Sequence, residues 1–540
     1  MQAAFFCWAF AFCCDKLKAK KTDMKMKHLF LFLCLVSLLP AGCAINPVTG
    51  ERELGLVGQE QEIAIGNKQY EPGRQMQGGD YLADPQVSAY VNTVGQKLAA
   101  VSDRPLPYEF KVLNNSTPNA WALPGGKIVV NRGLLLELNN EAELAAVLSH
   151  EIVHAAARHG AQSMEKGMLM QGALLATSLA TANSDYAPLA VGGAQLAASL
   201  ITQKYSREAE LEADFYGIRY LSRAGYDPQS AVNLQQTFVK LSEGRDSNWL
   251  SGFFASHPPS QERVDVNRKT AKSLQSGGEL GAKRYEEKTR HLRETAPAYK
   301  SYDEAALALK KGDSRRAQAL VDSALALEPK EALFYGLKGD IFFEQKNFNK
   351  ALGSYDQAIH LNDKFFHFYA QRGLTREKLG DMRGARQDMT RSASLLPTAT
   401  AYKKLGDFAL AEGQRTEAKN YFQAAATSRS EVGKEALSSF IMLDLPENAG
   451  RYIRARAEKT EDGQLRIRVA NPTPLAVYNI VLEARYLDDK GSIKQIPLRV
   501  STMLQPEESV IVPPDELRLP AKYLRNMEVK VISAQIATGR

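Results

Sequence analysis

The spacing of apolar and polar positions changes several times along this chain, and each change marks a different kind of unit. Between Glu143 and His159, Leu144, Val147, Leu148, Ile152 and Val153 recur at helical spacing among strong helix formers, with no Gly or Pro before Gly160. This predicts one continuous, largely buried helix. Ahead of it, Asn119-Ala120-Trp-Ala-Leu and Lys127-Ile-Val-Val-Asn flank Pro124-Gly125-Gly126, a strand, turn and strand pattern. After it come two apolar runs, 167–180 and 189–201, split by polar Asn183-Ser-Asp. Each is shorter than the ~20 residues of a membrane span, so a helical pair is expected.

Further on, Ser-Gly-Gly, charge runs and Ala296-Pro297 within 273–298 read as a linker or a solvated helix. Beyond it the apolar pattern repeats. Ala317, Ala351, Ala385 and Ala418 step by 34, 34 and 33 residues, and Gly339, Gly373 and Gly406 by 34 and 33. That is the tetratricopeptide period of paired antiparallel helices, and about four repeats are expected, packed independently of what precedes them. From about Ala449 short alternating runs are separated by Asp462-Gly, Asn471-Pro-Thr-Pro and Asp489-Lys-Gly491, the pattern of an antiparallel sandwich of six or seven strands.

The chain begins with a different signal. Lys25 and Lys27, an apolar stretch 29–39 and Ala41-Gly42-Cys43 read as a secretory leader, with residues 1–23 an over-extended start if translation begins at Met24 or Met26. All five cysteines lie at or before Cys43, so a mature chain starting there has one thiol and no internal disulfide. Cys43 resembles a bacterial lipoprotein attachment site, although Pro40 stands where an aliphatic residue is usual and cleavage after Ala44 is the rival. The leader carries six lysines and two aspartates, so +4 of the formal +7 resides there. The remaining +3 is no electrostatic footprint for nucleic acid.

The candidate chemistry sits in the predicted helix. His150-Glu151-Ile-Val-His154 is an H-E-x-x-H motif, and i, i+4 spacing places both imidazoles on one helical face, a turn apart, where they can converge on zinc. Glu151 then stands beside the first ligand, in position to act as general base. A catalytic zinc needs a third protein ligand, and a His ten residues after His150 is excluded because Gly160 stands there. The segment from Tyr205 to Gly217 supplies Glu208, Glu210 and Glu212 in helical context, and spacing alone does not choose among them.

The motif followed by Ser206-Arg207, Glu210 and Ala213-Asp214 resembles the CAAX-prenyl-protease-like and heat-shock-protease-like zinc metallopeptidases, in the branch of envelope beta-barrel-assembly-enhancing proteases with C-terminal tetratricopeptide repeats. The likeness runs from about Asn46 to Asn267 and includes Asn46-Pro-Val-Thr-Gly50 and His257-Pro-Pro-Ser-Gln-Glu-Arg263. It implies His150, His154 and Glu210 as ligands of one zinc per chain, and Asp214 as a carboxylate orienting a ligand histidine. It further implies that His257 lies near the metal, capping it or assisting catalysis with Glu151. Asn119 and Ala120 would begin the edge along which an extended peptide binds.

The reading is therefore a multidomain, mainly α protein: a signal segment (1–43), a gluzincin-type α+β zinc peptidase domain (44–270), a linker (271–300), a tetratricopeptide α-solenoid (301–440) and a small antiparallel β-sandwich (449–540). The expected function is a zinc metalloendopeptidase of the bacterial periplasm, held at the outer membrane by a lipid anchor at Cys43. It would degrade unfolded or misassembled envelope proteins and engage protein partners through the solenoid groove. The alternative is a chaperone or assembly scaffold with little proteolytic activity.

Overall fold

The computed structural model describes residues 43–169, 199–202, 204–244, 256–459, 465–488, 490–512 and 527–537. Residues 1–42, expected to be a leader, and most of the two apolar runs lie outside the described residues. Among the described residues no helix is long and apolar enough to cross a membrane.

A short antiparallel hairpin, β1 (Cys43–Ile45) with β2 (Arg52–Leu54), leads into helices α1 (Gln59–Met76) and α2 (Pro85–Ala99). Strands β3 (Glu109–Leu113), β4 (Ala120–Leu123) and β5 (Lys127–Asn131) form a sheet in the order β3-β5-β4, with β4 and β5 antiparallel as the strand-turn-strand pattern implied and β3 parallel to β5. After α3 (Arg132–Glu137), α4 (Glu141–Ala156) carries the H-E-x-x-H motif. Asn140 caps α4 by accepting from the Glu143 amide, and Glu141 and Glu143 complement its N-terminal dipole. All sixteen of its residues are buried, which marks a helix running through the middle of a core. Strands β4 and β5 and helix α2 pack against α4. So do α5 (Arg207–Arg223) and α6 (Gln229–Gly244), and α7 (Gln261–Lys272) packs on these two.

The predicted helix over 143–159 is shorter than its pattern suggested. It stops at Ala156, Arg158 takes φ 64, and a second helical stretch starts at 159. A left-handed non-glycine residue is uncommon and costs about 1–3 kcal/mol. Here tertiary contacts hold it: the Arg158 guanidinium pairs with Glu53, Glu62 and Glu165 and donates to the Val57 carbonyl at 2.7 Å.

The expected linker at 271–300 is also replaced by packed structure. Helices α8 (Ala282–Lys288) and α9 (Arg290–Lys310) bury Tyr285, Leu292, Ala298 and Tyr299, and their outward charges gave the stretch its solvated look. Helix α9 opens an array of four antiparallel pairs. Its partners are α10 (Ser314–Leu327), then α11 (Ala332–Glu344) with α12 (Phe348–Leu361), α13 (Phe366–Lys378) with α14 (Met382–Leu395), and α15 (Ala399–Ala411) with α16 (Arg415–Ala425). Helix α17 (Glu431–Asp444) ends the array. The periodic alanines are fully buried, and a Cβ on Gly339 or Gly406 would lie 2.5 Å from the ring of Tyr355 or Phe422 on the paired helix. This close approach is what the 34-residue period encodes.

The array does not pack independently of the peptidase unit. One hydrophobic cluster runs from Tyr81 and Leu135 through Tyr285 and Tyr299 to Phe334 and Phe368. Glu331 accepts from Asn114 at 2.9 Å and from the Tyr299 hydroxyl, and Gln75 accepts from the Phe366 amide at 2.9 Å. The chain ends in two three-stranded antiparallel sheets over one core. They are β10-β7-β6 and β11-β8-β9, built from β6 (Arg454–Lys459), β7 (Leu465–Ala470), β8 (Val477–Leu487), β9 (Ile493–Val500), β10 (Ser509–Val512) and β11 (Glu528–Ile536).

Candidate metal centre

Helix α5 starts at Ser206, whose hydroxyl accepts from the Ala209 amide, and crosses α4 closely enough that a Cβ on Gly217 would sit 3.2 Å from the His150 backbone. That approach places the acids of α5 against the histidines of α4. Of the three candidates left open by spacing, Glu210 is the one whose carboxylate enters the histidine cluster, whereas the Glu208 side chain is 78% exposed and Glu212 faces His159. Residues 256–260 bring in His257 from the segment ahead of α7.

His150, His154, Glu210 and His257 each offer one ligand atom, and these atoms all lie within 4.8 Å of one another. Nε2 of His154 is 3.0 Å from Nε2 of His150, which is 3.3 Å from Nδ1 of His257. A Glu210 oxygen lies 2.9 Å from His257 Nδ1 and 3.4 Å from His154 Nε2. The donor set fits a metal by its chemistry. Asp214 lies 3.0 Å from His150 Nδ1, so the ring proton belongs on that side and the Nε2 lone pair points into the cluster. Three nitrogens and one carboxylate oxygen, all buried, are a zinc-type set.

Charges around the cluster are strongly biased. Burial opposes ionisation of Glu210, yet His257 and hydrogen bonds from His150 and His154 hold it well below its ordinary value. Burial likewise opposes an ionised Asp214, and Arg263 outweighs it. Glu151 is the exception: burial raises its carboxyl above the usual range, and neither oxygen has a hydrogen-bond partner among the described residues. Its Oε1 lies 3.5 Å from His257 Nε2. A buried, raised carboxylate beside the cluster can hold a proton and give it up again.

Arg263 explains the spacing of the His257-Pro258 element. Its Nε and Nη2 donate to the two oxygens of Asp214 at 2.7 Å each, its Nη1 lies 2.9 Å from Glu210 and donates to the Pro258 carbonyl at 3.2 Å. One guanidinium thus ties together the segment bearing His257, the carboxylate behind His150 and the carboxylate in the cluster. The tasks of Arg263 and of Tyr205, whose ring stacks on His154 at 4.0 Å and 18°, are not visible in the sequence motif, nor is the partner of His159. Asn119 and Ala120 lie at the start of the outer strand β4, where the Asn119 side-chain oxygen is buried without a hydrogen-bond partner among the described residues.

At the N-terminal end, Asn46 of Asn46-Pro-Val-Thr-Gly50 accepts from the amides of Val48 and Thr49 and donates to the Ala157 carbonyl at 3.2 Å. The turn is thereby fastened to the end of α4.

Comparison with known proteins finds a family match over this part of the chain. Residues 85–271 match the model of peptidase family M48. The chain is 33% identical over 247 residues to a beta-barrel assembly-enhancing protease of Yersinia pestis, covering 44% of this chain and 49% of that protein. It is 36% identical over 180 residues to the mitochondrial metalloendopeptidase OMA1 of Schizosaccharomyces pombe, covering 32% and 50%. The chain thus spans about half the length of these curated relatives. Among solved structures, MamA aligns at 23% identity over 27% of this chain and 85% of its own, with a TM-score of 0.23. The helix that bears His150 and His154, the helix that bears Glu210 and the His257 element all fall within 85–271, the part of the chain that matches peptidase family M48.

Proposed function

We propose that the protein is a zinc-dependent endopeptidase of the bacterial cell envelope that cleaves unfolded or misassembled proteins. The observation that carries the reading is the buried convergence of His150, His154 and Glu210 beside Glu151, a carboxylate whose raised proton affinity suits a general base. When bound, zinc supplies the positive charge that acidifies a water and polarises the scissile carbonyl. His150, His154 and Glu210 hold it, Asp214 and Arg263 fix the His150 ring, and Glu151 takes the proton from the water and returns it to the departing amine. An extended peptide lies along the outer strand from Asn119 and Ala120, so main-chain pairing binds it with little sequence demand. His257 caps the centre at rest, as its place among the ligand atoms supports, and moves aside for substrate.

The helical array supplies a groove for protein partners, and Cys43 carries a lipid that keeps the enzyme at the periplasmic face of the outer membrane. Bacterial relatives named beta-barrel assembly-enhancing protease support proteolysis linked to protein assembly, and Cys43 at the end of the apolar stretch 29–39 supports the anchor. The test is hydrolysis of an unfolded protein by the purified chain before and after metal removal. Activity should vanish with chelation and return with one equivalent of zinc. Undiminished hydrolysis by the metal-free protein would sink the proposal.

A further inference from the structure

The two motif histidines are backed differently. His150 Nδ1 meets the Asp214 carboxylate directly, whereas His154 Nδ1 lies 2.8 Å from Nδ1 of His159, and His159 Nε2 lies 3.3 Å from Glu212 Oε1. His154 and His159 are both buried, and the Glu212 side chain is about a quarter exposed at 27%. We infer that His159 and Glu212 form a positioning relay that fixes the tautomer and orientation of His154 toward the metal. The inference deepens the zinc-site reading and rests on it.

The proton arrangement follows from the contacts. Two facing Nδ1 atoms at 2.8 Å require one donor and one acceptor. His154 turns Nε2 toward the cluster, so a metal-binding His154 keeps its proton on Nδ1 and donates it to His159. Nδ1 of His159 is then the acceptor, its proton lies on Nε2, and Glu212 receives that hydrogen bond. A carboxylate thus acts on the ligand through an intervening imidazole, which raises the basicity of His154 and locks its ring.

The fold builds this contact; helix periodicity does not. On a continuous helix a residue five places on is rotated by about 140° from His154 and faces away. The break at Ala156 and the left-handed Arg158, held by Glu53, Glu62 and Glu165, turn the chain so that His159 returns against the His154 ring. Tyr205 stacks on His154 and lies 6.0 Å from His159, closing the remaining side. Glu210, Glu212 and Asp214, alternate residues of one helix, thus serve the cluster, His159 and His150 respectively.

The test is zinc affinity, read by competition with a chromophoric chelator, alongside thermal unfolding of each metal-free protein. His159→Phe keeps a ring but offers no acceptor and should weaken zinc binding by about 10- to 100-fold. His159→Asn places an amide oxygen where Nδ1 lies and should recover most of that affinity, and Glu212→Ala should give an intermediate loss. A His159→Phe protein with wild-type zinc affinity would overturn the relay, as would a His159→Asn protein that binds zinc as weakly as His159→Phe. Should His159→Phe fail to fold, unchanged zinc affinity in Glu212→Ala would overturn it. A wild-type protein that binds no zinc would instead remove the reading on which the relay rests.

Discussion

Removing Arg263 separates what holds the fold from what holds the metal. Its guanidinium is buried and contacts Asp214 twice at 2.7 Å and Glu210 once at 2.9 Å, with both carboxylates buried too. Arg263→Met leaves two acids without their cation, and breaking a buried pair from one side costs about 3–5 kcal/mol. That is a large part of the 5–15 kcal/mol typical of a folded domain. Adding Asp214→Leu removes one stranded charge. Since an apolar pair of similar volume is often as stable as a buried ion pair, the double variant should regain much of the loss, with Glu210 preventing full recovery. Zinc affinity should behave otherwise. It should fall about tenfold or more in Arg263→Met and stay low in the double variant, because His150 Nδ1 then has no carboxylate beside it. Urea unfolding in chelator gives the stability and chelator competition gives the affinity. An Arg263→Met protein within about 1 kcal/mol of wild type, the range of ordinary surface changes, would refute the reasoning. So would a double variant that regains zinc affinity together with stability.

Two glycines of the same repeat should respond oppositely to alanine. Gly339→Ala sets a Cβ 2.5 Å from the Tyr355 ring and should cost about 1–3 kcal/mol, whereas Gly353 on α12 has nothing within 4 Å of an added Cβ and Gly353→Ala should gain about 0.5–1 kcal/mol in denaturant unfolding. Equal effects would mean that the repeat glycines are not contact positions. A pH effect is expected from His367, which burial would lower but which Asp340, 3.0 Å away, holds above its ordinary value. A raised folded-state value stabilises fully below the unfolded value near ~6.5 and ceases to do so as pH rises through the folded value. The stability advantage of wild type over His367→Leu should therefore shrink from acidic to alkaline pH. A constant difference would contradict it.

How far the sequence reveals this molecule depends on which force decides each feature. Helix α4 was legible because its apolar positions recur at helical spacing among strong helix formers, and the array because Ala317, Ala351, Ala385 and Ala418 mark the same packed position in successive repeats. The choice of Glu210 over Glu208 and Glu212 was not legible from spacing, since it depends on how α5 crosses α4 at Gly217; only the family resemblance pointed to it. The end of α4 was hidden because the left-handed conformation of Arg158 is enforced by Glu165 together with Glu53 and Glu62, the last two distant in sequence. The segment 271–300 looked like a linker because only Ala271, Tyr285, Thr289, Leu292, Thr295, Ala298 and Tyr299 are buried, too few and too scattered to stand out among its charges. Pro297 deepened the impression, although α9 continues through it.

The most direct test of the account pairs zinc content with hydrolysis of an unfolded protein in variants of the motif residues. Glu151→Gln preserves shape but cannot take the water's proton, so it should retain about one zinc per chain and lose nearly all activity. Glu210→Gln and His154→Ala should lose metal and activity together. A fully active Glu151→Gln protein would contradict the mechanism. A Glu210→Ala protein with full zinc and full activity, while Glu212→Ala empties the site, would contradict the ligand assignment.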